Sequence, residues 1–220
     1  MLSDRHDGLA YTLVAPEGEP RGGVVILHGA RSCKENHLDF AHACAAGGLA
    51  AIAFDQRSHG ATEGVLAAGV LDDVATIAAL LPGDGPVFLR GTSMGGCFAL
   101  AAAQRAAARA VVTICPASPQ MLLAALRAGR FELPADAPAL ARLLAAIDLE
   151  QAARALGPDL MLLHAENDEV VPIEHAARLH EVAAGSRFVR VPGGDHRSVQ
   201  HDTALQAEAV AFLLARCGAA

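Results

Sequence analysis

A serine lies in the hexapeptide Gly91 to Gly96, one residue after the apolar run Val87 to Leu89 and before an alanine-rich helical pattern. This order of strand, sharp turn and helix is the context in which G-x-S-x-G forms a nucleophile elbow. The glycines two residues either side of Ser93 have no Cβ, so strand and helix can approach closely while the serine takes a strained conformation. The motif predicts a presented serine hydroxyl with the Met94 N–H beside it as an oxyanion donor. Alone, it also fits a serine that caps a glycine-rich helix, so other groups must be found.

A serine hydroxyl is a weak nucleophile at neutral pH. It needs an imidazole to accept its proton and a carboxylate to orient that imidazole. On a nucleophile elbow the acid and then the histidine follow the serine, on loops after later strands. Asp168 follows the apolar run Leu160 to His164, and His196 follows the run Phe188 to Val191. Ser93, Asp168 and His196 are therefore the predicted catalytic residues.

Other residues compete for these roles. Glu166 and Glu169 share the loop of the predicted acid, and His201 follows the predicted base but falls inside or at the start of the last predicted helix. Asp195 adjoins the predicted base, but a sequence neighbour points away from the imidazole face that needs support. We interpret Asp195 as a surface residue or a brace for its loop.

The second oxyanion donor is expected in the loop after the first buried core strand. Residues Gly23 to His28 form a β-branched run that reads as this strand, buried on both faces. The N–H of Ala30 is the predicted partner of the Met94 N–H, with the N–H of Arg31 as the alternative. His28, at the strand end, is expected to orient this loop.

The elements that must position these residues alternate along the chain. Apolar runs alternate with segments of helical spacing, which indicates an α/β fold with a mostly parallel sheet and helices on both faces. Strands are predicted at residues 9–14, 23–28, 50–54, 87–89, 110–114, 159–164 and 187–191. Helices are predicted at residues 36–46, 65–81, 173–184 and 201–215, and from Cys97 onward.

One segment interrupts the alternation. From Cys115 to Gly157 the pattern predicts two or three helices with no strand between them, which is too long for a simple crossover. We predict one domain, residues 1–220, with a small helical lid at about 116–157; the alternative is a helix pair packed on the sheet. The apolar residues of this segment either contact an acyl group or pack it on the body: Met121, Leu122, Leu123, Leu126, Phe131 and Leu133. Arg127 and Arg130 fit a carboxylate or phosphate site, or a solvated helix face.

Composition narrows the function classes. The chain has 220 residues, a net charge of −7 and scattered basic residues, so nucleic acid and anionic membranes are poor partners. It has no run of about 18 apolar residues, so no membrane span is expected, and no signal peptide is recognised. Five dispersed cysteines favour reduced thiols and a cytoplasmic protein. No metal and no organic cofactor is implied.

Six motifs together resemble the α/β-hydrolase fold superfamily. They are His28 to Ala30, Lys34 to Asn36, Asp55 to Gly64, Gly91 to Gly96, His164 to Pro172 and Gly194 to His196. Within the superfamily they are similar to the lysophospholipase, monoacylglycerol lipase and cinnamoyl esterase branch, close to the dienelactone-hydrolase-like proteins. The resemblance implies an α/β-hydrolase fold with about seven to eight strands. It also implies the triad Ser93, Asp168 and His196 and an oxyanion hole formed by the N–H groups of Ala30 and Met94.

The chain departs from the family pattern in two loops. Ser58 stands where the family usually has glycine, and Thr62 where it has serine. The loop after the seventh strand often reads His-Gly in the family, where this chain has His164 and Ala165. We expect modest changes in backbone shape and no loss of activity.

These observations predict a serine hydrolase that cleaves a carboxylic ester or thioester of a small to medium acyl group through an acyl-enzyme intermediate. The alternatives are a proline-aminopeptidase-like peptidase or a carbon–carbon bond hydrolase with the same triad, and a non-catalytic binding protein of the same fold. The predicted partner is a small-molecule substrate, and the predicted assembly is a monomer or homodimer.

Overall fold

A computed structural model describes residues 1–218 of the chain. Its strands are β1 (Leu2–His6), β2 (Leu9–Val14), β3 (Gly23–Leu27), β4 (Ala50–Phe54), β5 (Val87–Thr92), β6 (Ala110–Ile114), β7 (Leu160–Ala165) and β8 (Arg187–Val191). Its α-helices are α1 (Leu38–Ala46), α2 (Val70–Ala78), α3 (Met94–Ala102), α4 (Pro119–Arg127), α5 (Ala137–Ala146), α6 (Leu149–Leu156), α7 (Ile173–Val182) and α8 (Thr203–Leu214).

The eight strands form one sheet in the order β1-β2-β4-β3-β5-β6-β7-β8. The strands from β4 to β8 in this order are parallel, whereas β2 is antiparallel to both β1 and β4. Every residue of β3, β4 and β6 is buried, which explains why these strands read as continuous apolar runs. Because the carboxyl ends of parallel strands lie at one edge, the loops after β3, β5, β7 and β8 meet there.

Helices cover both faces of the sheet, as predicted. One core cluster packs α2 to α7 against one face, and the other packs α1 and α8 against the opposite face. Leu89 of β5 belongs to the first cluster and Phe88 to the second, since successive strand residues point to opposite faces. This two-sided arrangement is the α/β-hydrolase fold that the sequence predicts.

Most predicted elements agree with the structure, with differences at their ends. Residues 9–14, 50–54, 110–114 and 187–191 form strands with the predicted bounds. Helix α3 begins at Met94, directly after Ser93, and not at Cys97. Helix α2 begins at Val70, not at residue 65, and Leu66 instead forms a bridge with Ala135. The edge strand β1 was not specified, because all five of its residues are exposed and it has no apolar pattern.

The segment between β6 and β7 contains three helices, α4 to α6, and no strand. Its apolar residues pack on the body: Leu122 and Phe131 are buried in the first core cluster, and Met121, Leu123, Leu126 and Leu133 pack against that cluster. Burial against the body therefore accounts for these side chains without a substrate.

Candidate active site

Ser93 occupies the sharp turn between β5 and α3. Its φ of 53° and ψ of −117° lie in a region that non-glycine residues rarely adopt. The turn is fixed by backbone hydrogen bonds, because the Ser93 N–H donates to Ile114 O at 2.9 Å and its carbonyl accepts from Cys97 and Ala117 at 3.1 and 3.0 Å. Strain of this kind persists where the surrounding structure over-determines the conformation.

The flanking glycines are required by space. A Cβ on Gly91 would lie 2.2 Å from the carbonyl oxygen of Gly95, and a Cβ on Gly95 would lie 2.4 Å from the carbonyl oxygen of Leu27. Both clashes are with backbone atoms, which a rotamer change cannot relieve. The elbow therefore packs strand β5, helix α3 and the end of β3 as closely as the sequence predicts.

Asp168 and His196 are brought together from the loops after β7 and β8. The Nδ1 atom of His196 lies 2.7 Å from Oδ2 of Asp168. The Asp168 side chain is 0% exposed and that of His196 is 17% exposed, so the carboxylate is shielded while the ring reaches the surface. An imidazole that donates Nδ1–H to a carboxylate keeps Nε2 free to accept a proton.

The Asp168 carboxylate is held in its ionised form. Burial on its own would raise the pKa of Asp168, but hydrogen bonds from the Val171 N–H, from His196, from Cys115 and from the Val170 N–H outweigh it and lower the pKa. The two N–H groups donate to Oδ1 at 2.8 Å each. The other oxygen, Oδ2, binds His196 at 2.7 Å and lies 3.4 Å from Nε2 of His164.

Three of the four competing residues have other partners. Glu166 and Glu169 are exposed, and Glu166 lies 3.5 Å from Arg190. His201 binds Asp39 at 2.8 Å. Asp195 accepts the N–H groups of Arg197 and Ser198 at 2.8 Å each, so it braces the loop that carries His196.

Cys115 lies beside the Asp168–His196 pair. Its sulfur, a carboxylate oxygen and a ring nitrogen of that pair lie within 4.8 Å of one another, which is an arrangement that could hold a metal ion. Burial raises the pKa of the Cys115 thiol, which favours the protonated thiol beside the carboxylate. The sequence does not reveal this contact, because it depends on the pairing of β6 with β7.

The loop after β3 distinguishes between the two oxyanion candidates. The Arg31 N–H donates to Nε2 of His59 at 3.2 Å, so it is already bound. Within residues 1–218, no intramolecular hydrogen bond is recorded for the N–H of Ala30 or of Met94. His28 orients the loop, because its Nδ1 donates to Gly29 O at 2.7 Å and its Nε2 accepts the Gln56 N–H at 3.0 Å.

A buried ion pair braces the same loop. Nζ of Lys34 lies 2.8 Å from Oδ2 of Asp55, whose Oδ1 accepts the Lys34 N–H at 2.8 Å. Burial alone would lower the pKa of Lys34, but the hydrogen bonds to Asp55 and Glu35 outweigh it and raise the pKa. The loops after β3 and β4 are thereby held together.

The two departures from the family pattern also make loop contacts. Ser58 has a φ of 68°, a conformation that glycine adopts without strain. Its hydroxyl donates to Pro134 O and accepts the Leu66 N–H. The Thr62 hydroxyl accepts the Ala10 N–H at 2.8 Å.

A buried arginine supports the segment after His196 from below. Arg90 on β5 is 1% exposed. It stacks on Phe40 at 4.7 Å, binds Nδ1 of His37 at 2.8 Å and donates to Gln200 O at 3.2 Å. Burial lowers the pKa of Arg90 to about 10, and burial together with the Arg90 charge lowers that of His37 to about 2. His37 is therefore a neutral acceptor, a role that the sequence analysis did not assign.

Ser93 and His196 line one cavity of about 480 Å³ at the edge of the sheet. The other lining residues are Gly29, Ala30, Arg31, Ser32, Asn36, Thr92, Val170, Arg197, Gln200 and His201. No hydrogen bond between the Ser93 hydroxyl and His196 is recorded in the described part of the chain. Such contacts are often long until a substrate is bound. None of the six apolar residues of the α4–α5 segment lines this cavity.

Comparisons with solved structures agree with this architecture. The structure of Est1E from Butyrivibrio proteoclasticus with bound ferulic acid is 21% identical, with a TM-score of 0.78 over 98% of this chain and 99% of that chain. A monoacylglycerol lipase from Paleococcus ferrophilus is 18% identical, with a TM-score of 0.75 over 94% and 99%. A serine hydrolase without lid from Xanthomonas campestris is 17% identical, with a TM-score of 0.70 over 100% and 95%.

The family follows from the sequence. The family model described as serine aminopeptidase, S33, matches residues 18–146, and a second model described as TAP-like protein matches residues 145–216. Because the first match covers more than half of the chain, the protein belongs to this family of the α/β-hydrolase superfamily.

No curated protein matches the chain. Among the described residues, no helix combines the length and the apolar character that crossing a membrane requires.

Proposed function

We propose that this protein is a serine hydrolase that cleaves a carboxylic ester or thioester of a small to medium acyl group, with Ser93, Asp168 and His196 as its triad. One observation carries the proposal. His196 is bound to a shielded carboxylate at 2.7 Å and shares a cavity with a serine held at a strained elbow. This arrangement supports the roles of nucleophile, base and orienting acid that we propose for the three residues.

In this mechanism Ser93 attacks the substrate carbonyl while Nε2 of His196 takes its proton. The negative charge that develops on the carbonyl oxygen is stabilised by the N–H groups of Ala30 and Met94. His196 then protonates the leaving group as the acyl-enzyme forms. Water, activated by the same imidazole, releases the acid.

Hydrolysis of p-nitrophenyl esters from acetate to decanoate by the wild type and Ser93→Ala tests the proposal. We expect the variant to lose at least about 1,000-fold in kcat, because the hydroxyl that forms the acyl-enzyme is absent. Ser3→Ala, in the exposed edge strand β1, is the matched control and should retain wild-type rates. Equal rates for wild type and Ser93→Ala would refute the role of Ser93.

An aminopeptidase is the second candidate, because the matching family model is described as serine aminopeptidase. A free substrate amino group is cationic, and its recognition calls for a carboxylate. The cavity places Arg31 and Arg197 near Ser93, and none of its lining residues within residues 1–218 is acidic. We therefore favour the esterase, and alanyl- and prolyl-p-nitroanilides are the substrates that distinguish the two. Turnover of these amides in preference to every ester would reverse the assignment.

We also propose that the helical insertion at about residues 116–157 acts as a lid. Its support is an ion pair between Glu132 of the insertion and Arg31 at the cavity, with 2.7 Å between Oε2 and NH1. Ser58 adds a second contact, to Pro134. Hydrogen exchange should show faster amide exchange at residues 128–136 than in α3, and slower exchange after the serine is phosphonylated. Protection equal to that of α3 in both states would exclude a mobile lid.

A further inference from the structure

The cavity at Ser93 differs in charge from the molecule as a whole. The protein has a formal net charge of −7. Yet the twelve lining residues include two arginines, Arg31 and Arg197, and no carboxylate belongs to that set in the described part of the chain. A positive charge that no carboxylate neutralises would favour the entry of an anion.

The two arginines are not equivalent. The guanidinium of Arg31 is already paired with Glu132. The Arg197 side chain has no ion-pair partner within residues 1–218, while its backbone N–H is fixed to Asp195 at 2.8 Å. Because its guanidinium has no ion-pair partner in the described residues, Arg197 is available to bind a ligand in the cavity that it shares with His196.

Neutral groups complete the polar wall. Asn36 donates to the Ser32 hydroxyl at 3.1 Å, and both residues line the cavity. Thr92 also lines it and is 4% exposed, and its hydroxyl lacks a hydrogen-bond partner among the described residues. A buried hydroxyl without a partner is costly. The wall suits a polar substrate better than a long alkyl chain.

We propose that the ester or thioester cleaved here carries a carboxylate, which the Arg197 guanidinium binds while the carbonyl lies at Ser93. This inference rests on the proposed function and specifies its substrate class. Arginine is suited to the role because its planar fork matches a carboxylate with two parallel hydrogen bonds.

Two pairs of esters test the inference, one for each side of the scissile bond. The acyl pair is p-nitrophenyl hydrogen adipate and its neutral methyl ester. The leaving-group pair is the butyrate ester of 4-hydroxybenzoate and that of methyl 4-hydroxybenzoate. In at least one pair we expect the anionic member to have the higher kcat/KM, by about 5- to 10-fold, as one partly exposed charged hydrogen bond allows. Raising the salt concentration should reduce this preference.

Variants assign the preference to a residue. Arg197→Gln should abolish most of the anionic preference, and Arg197→Lys should keep part of it. Arg127→Gln is the matched control, because Arg127 is exposed on α4 and does not line the cavity; it should keep the wild-type ratio.

The outcomes separate the two claims. If the neutral esters are hydrolysed as fast as the anionic ones, or if Arg197→Gln keeps the wild-type ratio, the carboxylate inference is wrong and the hydrolase stands. If Arg127→Gln removes the preference, the site lies on α4 and the assignment to Arg197 is overturned. If folded wild-type protein turns over none of the four esters but does hydrolyse the p-nitrophenyl alkyl esters, only the carboxylate inference is wrong; if it hydrolyses neither set, the proposed function fails with it.

Discussion

At Ser93 the chain holds an unfavourable backbone conformation where a nucleophile is useful. The φ of 53° is maintained by neighbours that leave no room for side chains at Gly91 and Gly95. Backbone strain of this kind costs about 1–3 kcal/mol, which the packing of β5 and α3 offsets. We therefore expect the glycines to be as necessary to the site as the serine.

Gly95→Ala tests this dependence. The added Cβ would lie 2.4 Å from Leu27 O and 2.5 Å from His28 O, so we expect a loss of about 1–3 kcal/mol or more in the free energy of unfolding. Esterase activity should fall with it, because the displaced loop carries Ala30. Urea denaturation and ester hydrolysis provide the two readouts.

Gly69→Ala is the control for this prediction. It precedes α2, its φ is −74°, and a Cβ there meets nothing within 4 Å. The free energy of unfolding of the Gly69→Ala variant should differ from that of the wild type by less than about 0.5 kcal/mol. A Gly95→Ala variant as stable and active as Gly69→Ala would contradict the close approach at the elbow.

Asp168 has a second testable property, the pH dependence of its contribution to stability. Its pKa is lowered in the folded protein, so its stabilising effect is fully present above the unfolded pKa of about 4 and is lost as the pH falls through the folded value. Asp168→Asn should be less stable than the wild type at pH 7, and the difference should shrink toward pH 3. Activity at neutral pH should fall by about 10⁴-fold, because the imidazole loses its orienting charge.

Denaturation of both proteins at a series of pH values measures this difference. A gap that stays constant from pH 7 to pH 3 would contradict a lowered pKa. Unchanged activity in Asp168→Asn would mean that another acid orients His196.

At the scale of elements, the site depends on loops that are braced against one another. The Lys34–Asp55 pair joins the loops after β3 and β4, with side chains 10% and 0% exposed. Lys34→Met would leave the shielded carboxylate without its cation, and we expect a cost of about 3–5 kcal/mol in stability.

Arg105→Met is the matched variant for that brace. Arg105 and Asp72 are also 2.8 Å apart, but their side chains are 48% and 69% exposed. Water screens this pair, so its loss should cost no more than about 1 kcal/mol. Similar costs for the two variants in chemical denaturation would show that burial does not decide the strength of the brace.

Elements also show which parts of the fold a sequence can reveal. Strands β3, β4 and β6 were predictable because burial on both faces leaves continuous apolar runs. Strand β1 was not, because its exposed residues form no apolar pattern and pair with β2 across a turn. The start of α3 was predicted too late. Glycine has a low helix propensity, so the two glycines in the first turn of α3 weaken its helical pattern.

The positions of the candidate site residues were predictable because the strands before them could be recognised in the sequence. Asp168 and His196 follow strands, so their loops converge once the strands are parallel. Contacts between residues that are far apart in the chain were not predictable. The Arg31 N–H is bound by His59, the Cys115 thiol lies beside Asp168, and Arg90 is buried within an apolar strand. No local sequence pattern indicates such contacts, because they depend on how distant parts of the chain pack together.

At the scale of the whole molecule, buried neutral histidines make stability depend on pH. Burial lowers the pKa of His28 to about 4 and that of His37 to about 2, and it also lowers the pKa values of His59, His164 and His175. The unfolded chain binds these protons more readily. The stability contributed by these neutral imidazoles is therefore fully present above pH 6.5, the ordinary pKa of histidine, and it falls as the pH drops toward 4.

His28 and His37 alone predict a loss of about 2 kcal/mol per pH unit between pH 6 and pH 5. Urea denaturation at half-unit intervals measures this slope, with the m-value checked for two-state behaviour. A free energy of unfolding that is flat from pH 7 to pH 5 would show that these imidazoles are not buried in their neutral form.

The most direct test of the central claim is to trap the nucleophile. Folded wild-type protein is treated with a fluorophosphonate, digested, and analysed by mass spectrometry. We predict one adduct per chain, on the peptide that contains Ser93, and no adduct in Ser93→Ala. An adduct on a different residue, or none on folded wild-type protein, would contradict the assignment of Ser93 as the nucleophile of a serine hydrolase.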